Sequence, residues 1–153
     1  MLLFTGQADA TIDGKSRLAI PAKYRTLLEQ AGEPPTWFCM PWPEGYLRLY
    51  PASRFERLAD AGPDSLTPDA DRASLDVAMF SLFEQLEMDT NGRVIIPRDH
   101  LALARLGTDV VVVGARNRLE VRDRGSWEAQ RLERFQRLGQ LAERFEARRP
   151  PGT

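Results

Sequence analysis

Apolar and polar residues alternate near the start of the chain. Ala8, Ala10 and Ile12 interleave with Asp9, Thr11 and Asp13, which predicts a half-buried strand. An Asp13-Gly14 turn signal follows, then Leu18 and Ile20 alternate with Arg17 and Ala19, predicting a second strand and a hairpin between the two. Pro21 ends that strand and suits the entry to a short helix with Tyr24, Leu27 and Leu28 as its apolar stripe. Strands over 37–40 and 46–50 come next, then a helix opened by Ser53 and Glu56 as a capping box. Ala61-Gly62-Pro63 reads as a linker. Beyond it, Thr67 predicts an N-cap, with Pro68 at the first helical position and Asp69 and Asp71 in the first turn. Val77, Phe80, Leu82, Phe83 and Leu86 make the predicted helix, 67–86, strongly apolar.

The pattern then begins again. Asp13-Gly-Lys-Ser-Arg17-Leu-Ala-Ile-Pro21 matches Asp89-Thr-Asn-Gly-Arg93-Val-Ile-Ile-Pro97 at an offset of 76 residues. A second anchor follows in the same order: Leu47-Arg-Leu49 matches Leu119-Glu-Val121, and Phe55-Glu56 matches Trp127-Glu128, at an offset of 72. The chain therefore reads as two copies of one unit of about 70 residues. In the second copy Asn91-Gly92 is the turn, Leu101, Ala104 and Leu106 mark the short helix, and strands run over 109–113 and 118–122. Ser126 precedes a helix on which Trp127, Leu132, Phe135, Leu138, Ala142 and Phe145 share one face. Pro150 to Thr153 reads as a frayed tail.

Composition narrows the chemistry. The chain has 153 residues, 42% apolar and 28% charged, enough for a core. Its single cysteine, Cys39, excludes an intrachain disulfide, and with one histidine, His100, no zinc site is expected. Cys39 sits in an apolar strand and reads as buried and inert, His100 as a helix-surface or capping residue. No run of 18 apolar residues predicts a membrane helix, and residues 1–6 lack a signal-peptide pattern, so a cytoplasmic location is expected. The net charge of −1 hides an asymmetry: −6 over residues 51–90 against +5 over 91–153. A near-neutral total thus leaves room for a polyanion-binding face, since the local field decides. No phosphate-loop, dinucleotide or nucleophile-elbow motif is present, and no nucleophile–base pair suggests an enzyme.

The paired D-x-x-x-R motifs, the stretch Leu47-Arg-Leu-Tyr-Pro51 and Val113-Gly114 before a charged turn resemble the MraZ family, bacterial transcriptional regulators of the division and cell-wall gene cluster, related to AbrB-like DNA-binding domains. The resemblance spans roughly residues 1–145. It implies an α+β, mainly β fold: two AbrB-like repeats in one double-psi β-barrel with helices packed outside. The division it implies is a first repeat 1–60, a linker and additional helix 61–87, a second repeat with a C-terminal helix 88–147, and a tail 148–153. It further implies a ring-like homo-oligomer on double-stranded DNA, associated with the nucleoid and recognising short direct repeats upstream of its own operon, with no cofactor or metal and no membrane partner. The copies differ before the motif arginine, Ser16 against Gly92, which leaves the two turns free to differ in type.

The motif chemistry suits that expectation. Arg17 and Arg93 follow tight turns, and a guanidinium fork matches phosphate oxygens or the O6/N7 edge of guanine. Asp13 and Asp89 are placed to accept turn N–H groups, with Gly14, Asn91 and Gly92 supporting the turns. Lys15, at a turn tip, can reach a phosphate; Arg116 and Arg118, flanking a later turn, are possible DNA contacts. The arginines along 131–149 alternate with glutamates and read as a solvated helix face with i,i+4 pairs. A competing reading is that each motif arginine only ties its aspartate and holds the turn. A protein-interaction or scaffold module without DNA binding is the alternative function, favoured by the acidic 51–90 segment and the apolar 67–86 helix.

Overall fold

A computed structural model describes residues 2–152; Met1 and Thr153, the outer ends of the predicted first repeat and of the tail, lie outside the described residues. In chain order the elements are β1 (Gln7–Thr11), β2 (Arg17–Ala19), α1 (Ala22–Gln30), β3 (Thr36–Trp42), β4 (Tyr46–Pro51), α2 (Ala52–Ala59), α3 (Ala70–Phe80), β5 (Glu84–Glu87), β6 (Arg93–Ile95), α4 (Arg98–Ala104), β7 (Asp109–Gly114), β8 (Leu119–Asp123), α5 (Arg124–Ala129) and α6 (Arg131–Ala147). The repeat read from the sequence is thus a repeat of elements. Strand, strand, short helix, two strands, helix occurs twice, with α3 between the copies and α6 after them.

All pairings between these strands are antiparallel. A six-stranded sheet has the order β1-β7-β8-β4-β3-β5, and β2 and β6 form a separate two-stranded ribbon. The two copies interlock: the first strand of each pairs with the third of the other, while second pairs with second and fourth with fourth. Registers make this an internal two-fold relation. Leu47 faces Val121 and Leu49 faces Leu119 about the Arg48–Glu120 pair; Arg17 faces Ile95 and Ala19 faces Arg93 about the Leu18–Val94 pair. Both sequence anchors therefore straddle one pseudo-dyad.

The expected hairpin is not an extended pair. β1 and β2 are joined by the Ile12–Leu18 bridge and the bond from Asp13 N–H to the Arg17 carbonyl. Each arm pairs instead with the other copy. β1, whose apolar residues are alanines, pairs along Val110–Val113 of β7, where Val110, Val111 and Val112 are fully buried and their backbone edge needs a hydrogen-bonding partner. The core joins both copies: Leu18, Ile20, Tyr24, Leu28, Trp37, Leu47 and Leu49 pack with Val94, Ile96, Val110, Val112, Leu119 and Val121. Each such side chain contributes roughly 1.5–3 kcal/mol by burial, so neither copy has a core of its own.

Helix boundaries differ from the expectation where a stronger acceptor competes. α3 is capped by Asp69, whose Oδ1 accepts the Arg72 N–H at 2.8 Å; Thr67 and Pro68 lie outside it. The helix ends at Phe80, and Leu86 belongs to β5, buried opposite Trp37, because a strand edge of β3 is there to be covered. Ser53 forms no capping box: α2 starts after Pro51, and the Ser53 hydroxyl donates to Glu33 Oε1 at 2.7 Å. Asp123, not Ser126, caps α5 by accepting the Ser126 N–H at 2.8 Å. The C-terminal stripe is split at Gln130 into α5 and α6, and the apolar side chains of α6 stand exposed. Along 131–149 the ion pair is Arg149–Glu146, an i,i+3 contact, in place of the expected i,i+4 series. His100 is buried, not a surface residue. One ring nitrogen lies 2.8 Å from the Leu82 carbonyl and the other 3.3 Å from Cys39 Sγ, because α4 packs onto β3 at this point. Burial pushes the thiol of Cys39 far above its ordinary range, in keeping with an inert residue.

Candidate nucleic-acid interface

The two D-x-x-x-R turns are built alike, atom for atom. Asp13 Oδ1 accepts the N–H groups of Lys15 and Arg17, both at 2.9 Å, and its Oδ2 accepts Arg17 Nε at 2.7 Å. Asp89 Oδ1 accepts the N–H groups of Asn91 at 2.8 Å and Arg93 at 2.9 Å, and its Oδ2 accepts Arg93 Nε at 3.0 Å. One carboxylate thus satisfies two turn amides and fixes a guanidinium, which is why Asp is needed four residues before Arg. Each turn closes with an N–H to the aspartate carbonyl, from Ser16 at 3.0 Å and Gly92 at 2.9 Å. The backbone N–H of Arg17, then its guanidinium and the Lys15 N–H, hold Asp13 below the ordinary carboxylate range; the backbone N–H of Arg93, then Asn91, does the same for Asp89.

The turn types do not differ. Ser16 (φ 62°) and Gly92 (φ 73°) both take the left-handed conformation. What differs is the space above them. A Cβ at Gly92 would meet the Arg25 side chain, with Nε 2.6 Å away, whereas the residue equivalent to Arg25 in the second copy is Leu101, packed against the core. Gly14, in contrast, does not have a positive φ, so the left-handed residue is the one before the arginine. The two turns are clasped together: Ile20 N–H donates to the Gly92 carbonyl at 2.9 Å, and Ile96 N–H to the Ser16 carbonyl at 2.8 Å.

The β2–β6 ribbon is therefore a short, rigid platform. Leu18 and Val94 are fully buried and anchor it to the core. By strand alternation Arg17, Ala19, Arg93 and Ile95 occupy its opposite face. Only Nε of each arginine is bonded; the Nη groups form no hydrogen bond among the described residues, and each side chain keeps about a third of its surface exposed. Lys15 is exposed at the first turn tip, where the second has Asn91. Both motif arginines thus do hold their turns, and each still presents free N–H donors. The structure brings Arg17, Arg93 and their aspartates onto one ribbon.

Arg116 and Arg118 lie elsewhere, at the β7–β8 turn. Arg116 is left-handed (φ 72°) and its backbone bridges Phe4. Arg118 is committed to Glu120, at 2.9 Å from Nε, and to Asn117. Glu120 is buried and also held by Arg122 at 2.7 Å. Around it runs a series that sequence reading did not resolve: Arg48 over Trp42 (3.7 Å), Arg122 over Tyr46 (3.8 Å) and Arg134 over Trp127 (3.3 Å). The signal available was Tyr46, Arg48 and Tyr50 at alternate positions of β4, with Glu120 and Arg122 at alternate positions of β8. Arg122 also lies over Trp127 (5.3 Å), and this contact ties the α5–α6 junction to the sheet.

No helix among the described residues is long and apolar enough to cross a membrane. Residues 79–147, essentially the second copy, match the family described as "MraZ protein, putative antitoxin-like". A "Transcriptional regulator MraZ" of Rhodospirillum rubrum is 39% identical over 114 residues, covering 72% of this chain and 73% of that protein. Proteins of the same name from Salinispora arenicola and Legionella pneumophila (strain Corby) are 37% and 32% identical. They align over 131 and 129 residues, covering 83% and 84% of this chain and 86% and 85% of theirs.

Proposed function

The chain belongs to the MraZ family, and we propose that it is a sequence-specific DNA-binding transcriptional regulator whose β2–β6 ribbon carries the contact. The observation that carries this reading is the ribbon itself: two arginines, each with free donors, fixed by matching carboxylate clamps on one exposed face. A two-stranded ribbon fits the B-DNA major groove, and strand readers are an established mode of recognition. Preorganised guanidinium groups lose less freedom on binding than free ones. Lys15 contacts phosphate, and Arg116 and Arg118 have at most an accessory part. The curated relatives carry a regulator's name, which agrees with the reading against an enzyme.

The finer reading follows the family. The interlocked strand exchange supports a double-psi barrel as the description of the two repeats. The operator is a set of short direct repeats upstream of the protein's own operon, in the division and cell-wall gene cluster, and the protein acts in the cytoplasm at the nucleoid without cofactor or metal. It works as a homo-oligomer, a ring by head-to-tail contact. Two features support this: the exposed apolar face of α6, and the opposite net charges of residues 51–90 and 91–153. The test is binding of the purified chain to the DNA upstream of its gene as salt is raised. Sequence-selective binding that weakens with salt supports the reading; equal binding to scrambled DNA, or none, rejects it and favours the interaction-module alternative.

A further inference from the structure

The ribbon is two-fold symmetric in its backbone and in its arginines, and so is the sugar–phosphate frame of duplex DNA. A fully symmetric ribbon would therefore bind a site equally well in either orientation. Orientation has to come from residues that break the pseudo-dyad on the exposed face. In β2 and β6 that face carries one such break: Ala19 on one side and Ile95 on the other. The turns differ as well, Gly14 against Thr90, Lys15 against Asn91 and Ser16 against Gly92, but these positions precede the paired strands, and a solvated lysine on a flexible stem contacts phosphate without reading sequence.

Ile95 is 65% exposed. It lies directly across from Arg17, and the bonds from Ile20 N–H to the Gly92 carbonyl and Ile96 N–H to the Ser16 carbonyl set the alternation of the ladder. That alternation makes Arg17–Ile95 a non-hydrogen-bonded pair, in which side chains stand closest, with Cα atoms about 4.5 Å apart. A β-branched side chain in a strand is also stiff at χ1, so the γ-methyl of Ile95 has one strongly favoured direction. An isolated exposed isoleucine would ordinarily need no explanation; this one stands between two clamped arginines on the face that meets DNA. In the major groove the apolar group offered by a base pair is the C5-methyl of thymine. The separation of the pair is between one and two base-pair steps of about 3.4 Å.

The geometry points to Ile95 as an apolar reader of a thymine methyl, one or two base pairs from the pair contacted by Arg17, and so as the residue that gives each subunit its direction along DNA. This rests on the reading that the ribbon enters the major groove. It explains how a pseudo-symmetric reader can favour sites in one orientation.

The test uses the full chain and the duplex it selects most tightly from a random-sequence pool. Each thymine in turn is replaced by deoxyuridine, which removes only the methyl group. The wild type should lose about fourfold in affinity per contact at one position of the site, the value of one buried methyl-sized group. Ile95→Ala should bind the thymine and deoxyuridine duplexes equally there; Ile95→Ser, which also removes the γ- and δ-methyl groups, serves if the alanine variant does not fold. Ala19→Ile should bind a duplex with one half-site inverted nearly as well as the parent. Unchanged thymine discrimination in both Ile95 variants, or a wild type indifferent to every deoxyuridine, overturns the inference alone. If Arg17→Ala and Arg93→Ala also bind as wild type, the ribbon is not the DNA contact and the functional reading falls with it.

Discussion

Ser16 and Gly92 occupy equivalent left-handed positions, and each gives its carbonyl to the opposite copy, Ser16 to Ile96 N–H and Gly92 to Ile20 N–H. The two turns are thus one unit, and the residues at this position carry different loads. A non-glycine residue here costs on the order of 1 kcal/mol in backbone strain, which Ser16 bears with Leu101, not an arginine, at the position equivalent to Arg25. Ser16→Gly should therefore be neutral or stabilising by up to about 1 kcal/mol. Gly92→Ser adds the same strain and drives Cβ into Arg25; it should destabilise by about 1–3 kcal/mol. Denaturant midpoints of the two variants check this, and effects equal in size but opposite in sign would show that Arg25 moves aside freely.

Asp13 and Arg17 allow positioning to be separated from charge. Arg17→Ala should weaken binding to the selected duplex by about 1–3 kcal/mol if the arginine reads a base, and relax specificity at one position. Asp13→Ala removes a negative charge, so simple electrostatics predicts tighter binding. The clamp predicts the reverse: with Lys15 N–H, Arg17 N–H and Arg17 Nε released, affinity falls although net positive charge rises. Lys15→Ala should weaken all sequences alike and reduce the salt slope by about 1. Titrations at three salt concentrations distinguish the three variants.

How far the chain could be read from its sequence depends on how local each cause is. The repeat, the Asp–Arg turns and the end of each strand at Pro21 and Pro97 were legible because their causes lie within a few residues. The pairing of β1 with β7 was not, since Ala8 and Ala10 fit a hairpin as well as a strand exchange, and the valine run that decides between them is about a hundred residues away. Asp69 and Thr67 are both good caps in isolation; which one wins depends on where the chain enters α3. His100 looked like a surface residue because nothing near it in sequence reveals Cys39 or the Leu82 carbonyl.

His100 makes acid stability testable. Burial lowers its pKa below the ordinary value of about 6.5, against the opposing pull of the Leu82 carbonyl, Glu84 and Asp99. The unfolded chain then binds a proton before the folded one does, so this stabilisation is present above about pH 6.5 and declines as pH falls toward the folded value. Tm should drop between pH 7 and 5. In His100→Gln, whose amide can still donate to Leu82, the part of that drop due to the imidazole should vanish. An identical pH profile in the variant would show that other groups carry the effect.

The α6 face tests assembly apart from DNA chemistry. Leu132, Phe135, Leu138, Leu141 and Phe145 are all at least half exposed, Phe135 at 73%. Together they form an apolar stripe along a helix held to the rest of the chain mainly through α5 and the Arg134–Trp127 stack. An isolated helix gains nothing from such a stripe, which is expected to be covered by another surface. Phe135→Asp leaves the core and the ribbon untouched. If a second copy covers the stripe, the variant should stay folded by circular dichroism and shift in light scattering from a multiple of 17.3 kDa toward the monomer. Its affinity for a duplex with several half-sites should fall by roughly 10²–10⁴ through lost avidity, while binding to a single half-site stays unchanged. A wild type that already scatters as a monomer, or a variant that keeps its mass and its multi-site affinity, would show that α6 is not the subunit contact.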